Sequence, residues 1–249
     1  VYIHAVIQDG QGRPFKKTLG NGFDPVDIIE TYGADALRYT MAWITTETQD
    51  IRMPMKRVKL ADGRELQTSE KFELGRNFCN KVWNAARFAF MNLADGRETG
   101  GDAAGAKEPR ASARAASLRL ELSSLPIEDR WMLSRVSRAA REVQEALAGF
   151  QFSRAVTLAR DFFWDSLCDW YLEMVKSRVR EGRQAGEARQ VLAFALDQAL
   201  RLLHPFIPFI TERLWEQLNA IEPRRGLAGL AEVDGGKPLI VSGYPPAEG

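Results

Sequence analysis

Hydrophobic and polar residues change their rhythm twice along this chain. Residues 1–8 alternate and carry β-branched side chains, which predicts a strand, and Asp9-Gly10-Gln11-Gly12 predicts a turn. Residues 13–24 form a basic loop containing glycine. Asp24 is placed to cap a helix with Pro25 in its first position, running to about Tyr32 and closed by Gly33. A second helix is expected from Ala34 to about Thr45, and a polar, irregular stretch over 49–67 with a turn at Asp62-Gly63. From about Thr68 the period is helical. Helices are expected at about 69–93, 126–148, 153–180, 186–203 and 208–220. Pro205 and Pro208 part the last two, because proline cannot continue a helix interior. Residues 94–124 are rich in Ala, Gly, Arg and Ser and bury little surface, so they read as a mobile connection. A short strand is offered at 238–242. Long helices in series with short links describe a mainly α chain, a helical bundle.

Composition narrows this only a little. The chain has 249 residues, enough for one large domain or one domain with a piece of another. Its 45% hydrophobic and 27% charged residues are ordinary for a globular protein. No apolar run approaches the roughly 20 residues a membrane helix needs, so no membrane partner and a cytoplasmic location are expected. The net charge of +1 provides no global field for nucleic acid, so any such contact must come from a local patch. Cys79 and Cys168 are too far apart in sequence to suggest a metal site or redox pair, and read as buried free thiols. No metal ligands are expected. The chain opens on Val1-Tyr2-Ile3-His4, a strand already in progress, and reads as a segment of a longer protein.

One local patch exists. On a helical wheel, Cys79, Val82, Trp83, Ala86, Phe90 and Leu93 share one face. Arg76, Asn77, Asn80, Asn84 and Arg87 fall on the other side, with Lys81 at the border. No acidic residue occurs between Gly75 and Ala94. Arg and Lys supply charge and Asn neutral hydrogen bonds, a combination that suits a nucleic-acid backbone. A solvated face is the plainer reading of the same residues. The helix over 153–180 has the opposite pattern: Asp161, Asp165, Asp169 and Glu173 recur every four residues as one stripe. This is an exposed or partner-facing acidic edge, and some of its carboxylates are candidates to hold Arg76 or Arg87. The interleaved Phe162, Phe163, Trp164, Leu167, Trp170 and Met174 read as core, leaving one or two rim aromatics to stack on an unpaired base.

Several segments together resemble the valyl-tRNA synthetase family. They are Gly33-Ala34-Asp35-Ala36-Leu37-Arg38, the run from Gly75 to Phe88, and Asp129-Arg130-Trp131-Met132-Leu133-Ser134-Arg135. Further along come Asp161-Phe162-Phe163-Trp164, Cys168-Asp169-Trp170-Tyr171-Leu172-Glu173, and Leu202-Leu203-His204-Pro205-Phe206-Ile207-Pro208-Phe209-Ile210-Thr211-Glu212. Isoleucyl and leucyl relatives share the architecture, but the stretches 168–173 and 204–209 look valyl. The resemblance implies the end of a Rossmann-type catalytic domain and stem-contact region over residues 1–60. An α-helical anticodon-binding bundle would cover 61–222, and a C-terminal extension 223–249. It implies ATP as a substrate of the complete enzyme, and tRNA(Val) and the remainder of the synthetase chain as partners, in a monomer. Arg76, Asn77, Asn80, Lys81, Asn84 and Arg87 would face the tRNA.

In that family a Lys-Met-Ser-Lys-Ser loop follows the first strand, and then Gly-Asn. The matching positions here are Pro14-Phe15-Lys16-Lys17-Thr18, then Leu19-Gly20-Asn21. By resemblance Lys17 is the catalytic lysine, and Lys16, Lys17 and Thr18 are the ATP-facing positions. Pro14 replaces the first lysine, while Arg13 and Lys16 keep the loop basic. Proline also stiffens a loop that should move, so active and degenerate readings both stand. The family's His-x-Gly-His motif is missing. His4 reads as a strand residue near the nucleotide, and His204 as a partly protonated cap on a helix end. The segment alone is expected not to aminoacylate. The function expected is that of a tRNA-binding segment of an ATP-dependent valine–tRNA ligase. A stand-alone RNA- or protein-binding module without ligase activity is the second reading.

Overall fold

The computed structural model describes residues 5–47, 49–60, 63–98, 124–181, 185–223, 225–227 and 237–245. Half of the strand expected over 1–8 therefore lies outside the described residues, as does 99–123 of the expected connection; residues 94–98 complete a helix instead.

The chain begins with β1 (Ile7–Gln8), paired in parallel with β2 (Ile51–Arg52). Parallel strands need a crossover, and α1 (Pro25–Tyr32) and α2 (Ala34–Ile44) lie within it. Asp24 caps α1 as expected, its Oδ1 accepting from the Val26 amide at 2.8 Å. Gly33 turns the chain between the helices at φ 94°, a value closed to most side chains. The stretch expected to be irregular contains a second sheet: β3 (Lys56–Lys59) runs antiparallel to β4 (Glu65–Thr68), with Val58 opposite Leu66. Each of these strands holds one apolar residue, too few for alternation to stand out. Leu66 joins Ile28, Met53 and Phe72 in a small core.

The helix α3 (Glu70–Glu98) links that core to a much larger one. Phe72 belongs to the small cluster, while Phe78, Val82, Ala86, Phe90 and Leu93 belong to the large one. Where α3 crosses α2, Gly75 leaves no room for a side chain: a Cβ there would meet Thr40 Oγ1 at 2.4 Å and the Ala36 carbonyl oxygen at 2.6 Å. The bundle continues with α4 (Ile127–Ala148) and α5 (Phe152–Asp161). The helix expected over 153–180 is not uniform. After α5 it widens into a π-helical stretch, Phe162–Tyr171, before resuming as α6 (Leu172–Glu181). The Leu172 amide bonds Leu167 O, five residues back, which marks the wider turn. Then come α7 (Ala185–Leu203), buried continuously from Val191 to Leu203, and α8 (Pro208–Ile221).

Buried charges fix the bundle's geometry. Asp197 on α7 takes Arg201 Nε and Arg225 Nε, each at 2.7 Å, and both guanidinium groups lie over the Trp215 ring. Asp129, quoted above as part of a family segment, is fully buried: Tyr171 donates to it at 2.8 Å and Arg178 grips both of its oxygens. Asp35 on α2 accepts from the Phe209 and Ile210 amides at 3.3 and 2.7 Å, so one helix caps the N-terminus of another. In place of the strand offered at 238–242 there is a 3-10 turn, Leu239–Val241. Glu212 explains it, because its carboxylate accepts from the Leu239 and Ile240 amides at 2.8 and 3.1 Å. Among the described residues no helix is long and apolar enough to cross a membrane.

Candidate nucleic-acid interface

The polar residues of α3 are displayed much as the wheel suggests. Arg76, Asn77, Asn80, Asn84 and Arg87 are exposed. Among the described residues, the side chains of Asn77, Asn80, Asn84 and Arg87 have no hydrogen-bond or ion-pair partner. The Arg76 guanidinium sits 5.3 Å from the centre of the Tyr32 ring. Lys81 differs: it is half-buried, with Nζ 3.2 Å from Asp169 Oδ1 and 3.1 Å from the centre of the Trp164 ring. The acidic stripe thus holds Lys81, not Arg76 or Arg87 as entertained above. Asp161 pairs instead with its neighbour Arg160 at 2.6 Å. The cause is the π-helical widening, which turns residues at four-residue spacing away from the α-helical line.

The same widening changes the aromatic inventory. Phe162, Phe163 and Leu167 are buried, as expected of core. Trp170 is 63% exposed and Met174 39%, so the assignment of these two to the core is corrected. Between α3 and the π-helical stretch lies an open groove of about 510 Å³, lined by Asn77, Asn80, Lys81, Asn84, Phe88, Cys168, Asp169, Leu172 and Glu173. Its α3 wall is mostly amides; the opposite wall carries two carboxylates. Asp169 is paired with Lys81 and Glu173 with Lys176, so the groove offers amides beside compensated charges, which suits the hydrogen-bonding edge of a base. Two exposed arginines flank it: Arg76 and Arg87 stand about 16 Å apart along the helix axis. Burial pushes the Cys79 and Cys168 thiols up to about 12, so both stay protonated near neutrality.

In the N-terminal part of the chain, Lys16, Lys17 and Thr18 are exposed, and a 3-10 turn over Lys17–Leu19 closes on Gly20 at φ 56°. The sequence did not point to what holds this loop. Asp9, only 6% exposed, accepts from the Gln11 and Arg13 amides, from Arg13 Nε and from Asn21 Nδ2, at 2.8 to 3.0 Å. Asn21, the first of these donors in influence, and the Arg13 amide hold the Asp9 carboxyl well below the usual carboxylate range. Asn21 in turn accepts from the Lys16 amide at 2.9 Å and donates to Pro14 O at 3.2 Å. Arg13, expected with Lys16 to keep the loop basic, is paired with Asp9 at 2.8 Å, which offsets part of the charge it brings. A lone acid beside a basic loop was the available signal.

His4 lies outside the described residues. His204 does not act as a charged cap: its Nδ1 lies 2.8 Å from Thr211 Oγ1, and burial lowers its pKa from the ordinary value. Among the described residues no group of three or more His, Cys, Asp or Glu is placed to hold a metal ion.

Comparison with known proteins bears on both regions. Residues 129–247 match the family described as the anticodon-binding domain of tRNA ligase, and residues 1–54 match tRNA synthetases class I (I, L, M and V). A valine–tRNA ligase of Rhodopirellula baltica is 38% identical across 100% of this chain and 26% of its own length. One from Symbiobacterium thermophilum is 38% identical across 100% of this chain and 25% of its own, and one from Aquifex aeolicus 38% across 89% and 17%. The chain thus spans about a quarter or less of the length of these relatives. A solved LeuRS from Agrobacterium radiobacter K84, in a ternary complex with tRNA and LeuAMS, shares the fold. Its TM-score is 0.57 at 20% identity, over 96% of this chain and 23% of that one. The chain thus carries a segment similar to the anticodon-binding domain of tRNA ligase and another similar to class I tRNA synthetases, and along its length it is similar to part of the valine–tRNA ligases.

Proposed function

We propose that this chain is the tRNA-binding segment of a valine–tRNA ligase, which activates valine with ATP and transfers it to tRNA(Val). The observation that carries the reading is the exposed, acid-free polar face of α3 inside a chain similar over its whole length to valine–tRNA ligases. Arg76 and Arg87 take phosphates, and Asn77, Asn80 and Asn84 take base edges or sugar hydroxyls. Lys81 is mainly a strut, already engaged by Asp169 and Trp164. Trp170 is the exposed aromatic best suited to stack on an unpaired base.

Residues 1–60 supply the end of the catalytic and stem-contact part, 61–222 the anticodon-binding bundle and 223–249 an extension. In the complete enzyme Lys16, Lys17 and Thr18 approach ATP. The valine carboxylate attacks the α-phosphate, pyrophosphate leaves, and Lys17 offsets charge gathering on the departing phosphates. The working protein is a cytoplasmic monomer that binds tRNA(Val). A stand-alone module is not favoured, since the relatives named above are valine–tRNA ligases. The test is the affinity of the chain for valine tRNA carrying its own or a swapped anticodon. The proposal expects weaker binding of the swapped form; equal affinity overturns it.

A further inference from the structure

We infer that Asp9 and Asn21 are positioning residues that clamp one limb of the 13–20 loop and confine its movement to Lys17–Gly20. The inference rests on the ligase reading only for its consequence in catalysis; the clamp itself is a matter of this chain's geometry.

Trace the backbone from the strand outward. The Asp9 amide donates to Arg13 O at 2.9 Å, and the Phe15 amide to Ile7 O at 3.2 Å. These two bonds flank Pro14, which forms a bridge with Gln8. Neither bond uses the Pro14 nitrogen, so its missing N–H leaves nothing unpaired. Asp9 then takes the Arg13 amide and side chain, while Asn21 takes the Lys16 amide and gives a hydrogen to Pro14 O. A direct bond of 3.0 Å joins Asn21 to Asp9. Both side chains are more than nine-tenths buried. Phe15 adds an edge-on contact with Phe23, which in turn meets Phe72 of the small core.

Beyond Lys16 this support ends. Lys17, Thr18, Leu19 and Gly20 are exposed, and among the described residues they are held only by the turn's own bonds, Leu19 amide to Lys16 O and Gly20 amide to Lys17 O. Gly20 adopts φ 56° with open space around it, which suits a pivot. Pro14 therefore stiffens a limb that is already fixed and leaves the moving part untouched. The departure at Pro14 from the family's pattern is compatible with a working loop: Lys17 and Thr18 lie on the moving part, and the exposed Lys16 side chain stands beside them at its fixed edge.

The test has two arms. In the first, amide hydrogen exchange is measured on the chain. The Arg13 and Lys16 amides should be protected and the Lys17 and Thr18 amides should exchange freely. In Asn21→Ala the Lys16 amide should exchange at least about tenfold faster, the loss of roughly one hydrogen bond, with the bundle's protection unchanged. Asp9→Asn serves as the second variant should Asn21→Ala melt early; it should expose the Arg13 amide. Unprotected Arg13 and Lys16 amides in the unmodified chain overturn the clamp. In the second arm, valine-dependent ATP–pyrophosphate exchange is measured on the full-length ligase. Asn21→Ala should lower kcat on the order of 100-fold by misplacing Lys17, with KM for valine unchanged. The pair Asn21→Ala with Lys17→Ala should be no slower than Lys17→Ala alone, because one residue acts through the other. Multiplicative losses, or an unchanged kcat in Asn21→Ala, overturn the positioning role. A full-length protein without any exchange activity refutes the ligase reading instead, and the exchange protection pattern still decides the clamp.

Discussion

Replacing Gly75 by alanine should destabilise the fold even though alanine is the better helix former. The site lies in the first third of α3, where the helix crosses α2 and one residue before Arg76. Helix propensity alone favours alanine by about 1 kcal/mol. Against this, the new Cβ would lie 2.4 Å from Thr40 Oγ1 and 2.6 Å from the Ala36 carbonyl oxygen. Thr40 can rotate away, but it then loses its bond to Lys71 O at 3.2 Å, about 1 kcal/mol. The Ala36 carbonyl is part of α2 and yields only if one helix backs off the other. Overpacking of that kind costs about 1–3 kcal/mol, at the upper end where backbone is struck. The balance is a loss of about 3 kcal/mol, or some 6–12 °C in Tm at about 2–4 °C per kcal/mol for a chain of this size. Thermal melting by circular dichroism measures it, with Leu74→Ala on the exposed neighbour as the control. Combining G75A with Thr40→Ala should recover only the Thr40 share, since the Ala36 oxygen stays. A G75A chain that melts at or above the parent temperature refutes the close crossing of α2 and α3.

The remaining expectations concern charge. Arg76→Ala and Arg87→Ala should each flatten the salt dependence of tRNA binding by about 0.7–0.9 in the log–log slope, one phosphate apiece; Lys81→Ala should change it less, because Lys81 is already engaged by Asp169. Asp197→Asn should cost about 3–5 kcal/mol in denaturant unfolding by leaving two buried guanidinium groups without their anion. His204 is held below its ordinary 6.5, mainly by burial. The unfolded chain takes up that proton more readily, so stability should fall as pH drops from 6.5 through the lowered value, and His204→Gln should flatten that part of the curve. Asp35 has the opposite sign: burial raises its carboxyl, so its contribution is greatest at low pH and is lost as pH rises through the raised value.

The long elements were legible because each rests on a local cause. Asp24 and Pro25 start α1, Gly33 ends it, and the 3.6-residue period marks α3, α4, α7 and α8. What escaped depends on partners distant in sequence. The π-helical stretch 162–171 has the same local composition as an α-helix, and its widening is what exposes Trp170 and turns Asp169 toward Lys81. The hairpin of β3 and β4 offers one apolar residue per strand. The turn at Leu239–Val241 follows from Glu212, 27 residues earlier. The stripe on α3 was readable as charge spacing, whereas the pairing of Arg13 with Asp9 and the anchoring of the loop by Asn21 became visible only with the chain folded. His204 looked like a helix-end cation because the sequence does not show that Thr211, on the next helix, folds back against its ring.

The exposed face of α3 as the RNA contact can be tested by hydrogen exchange on the chain with and without an isolated anticodon stem–loop of valine tRNA. Protection should appear over residues 76–87 and around Trp170, and should weaken when the anticodon bases are changed. Protection confined to other elements, or none that depends on the anticodon, would contradict the assignment.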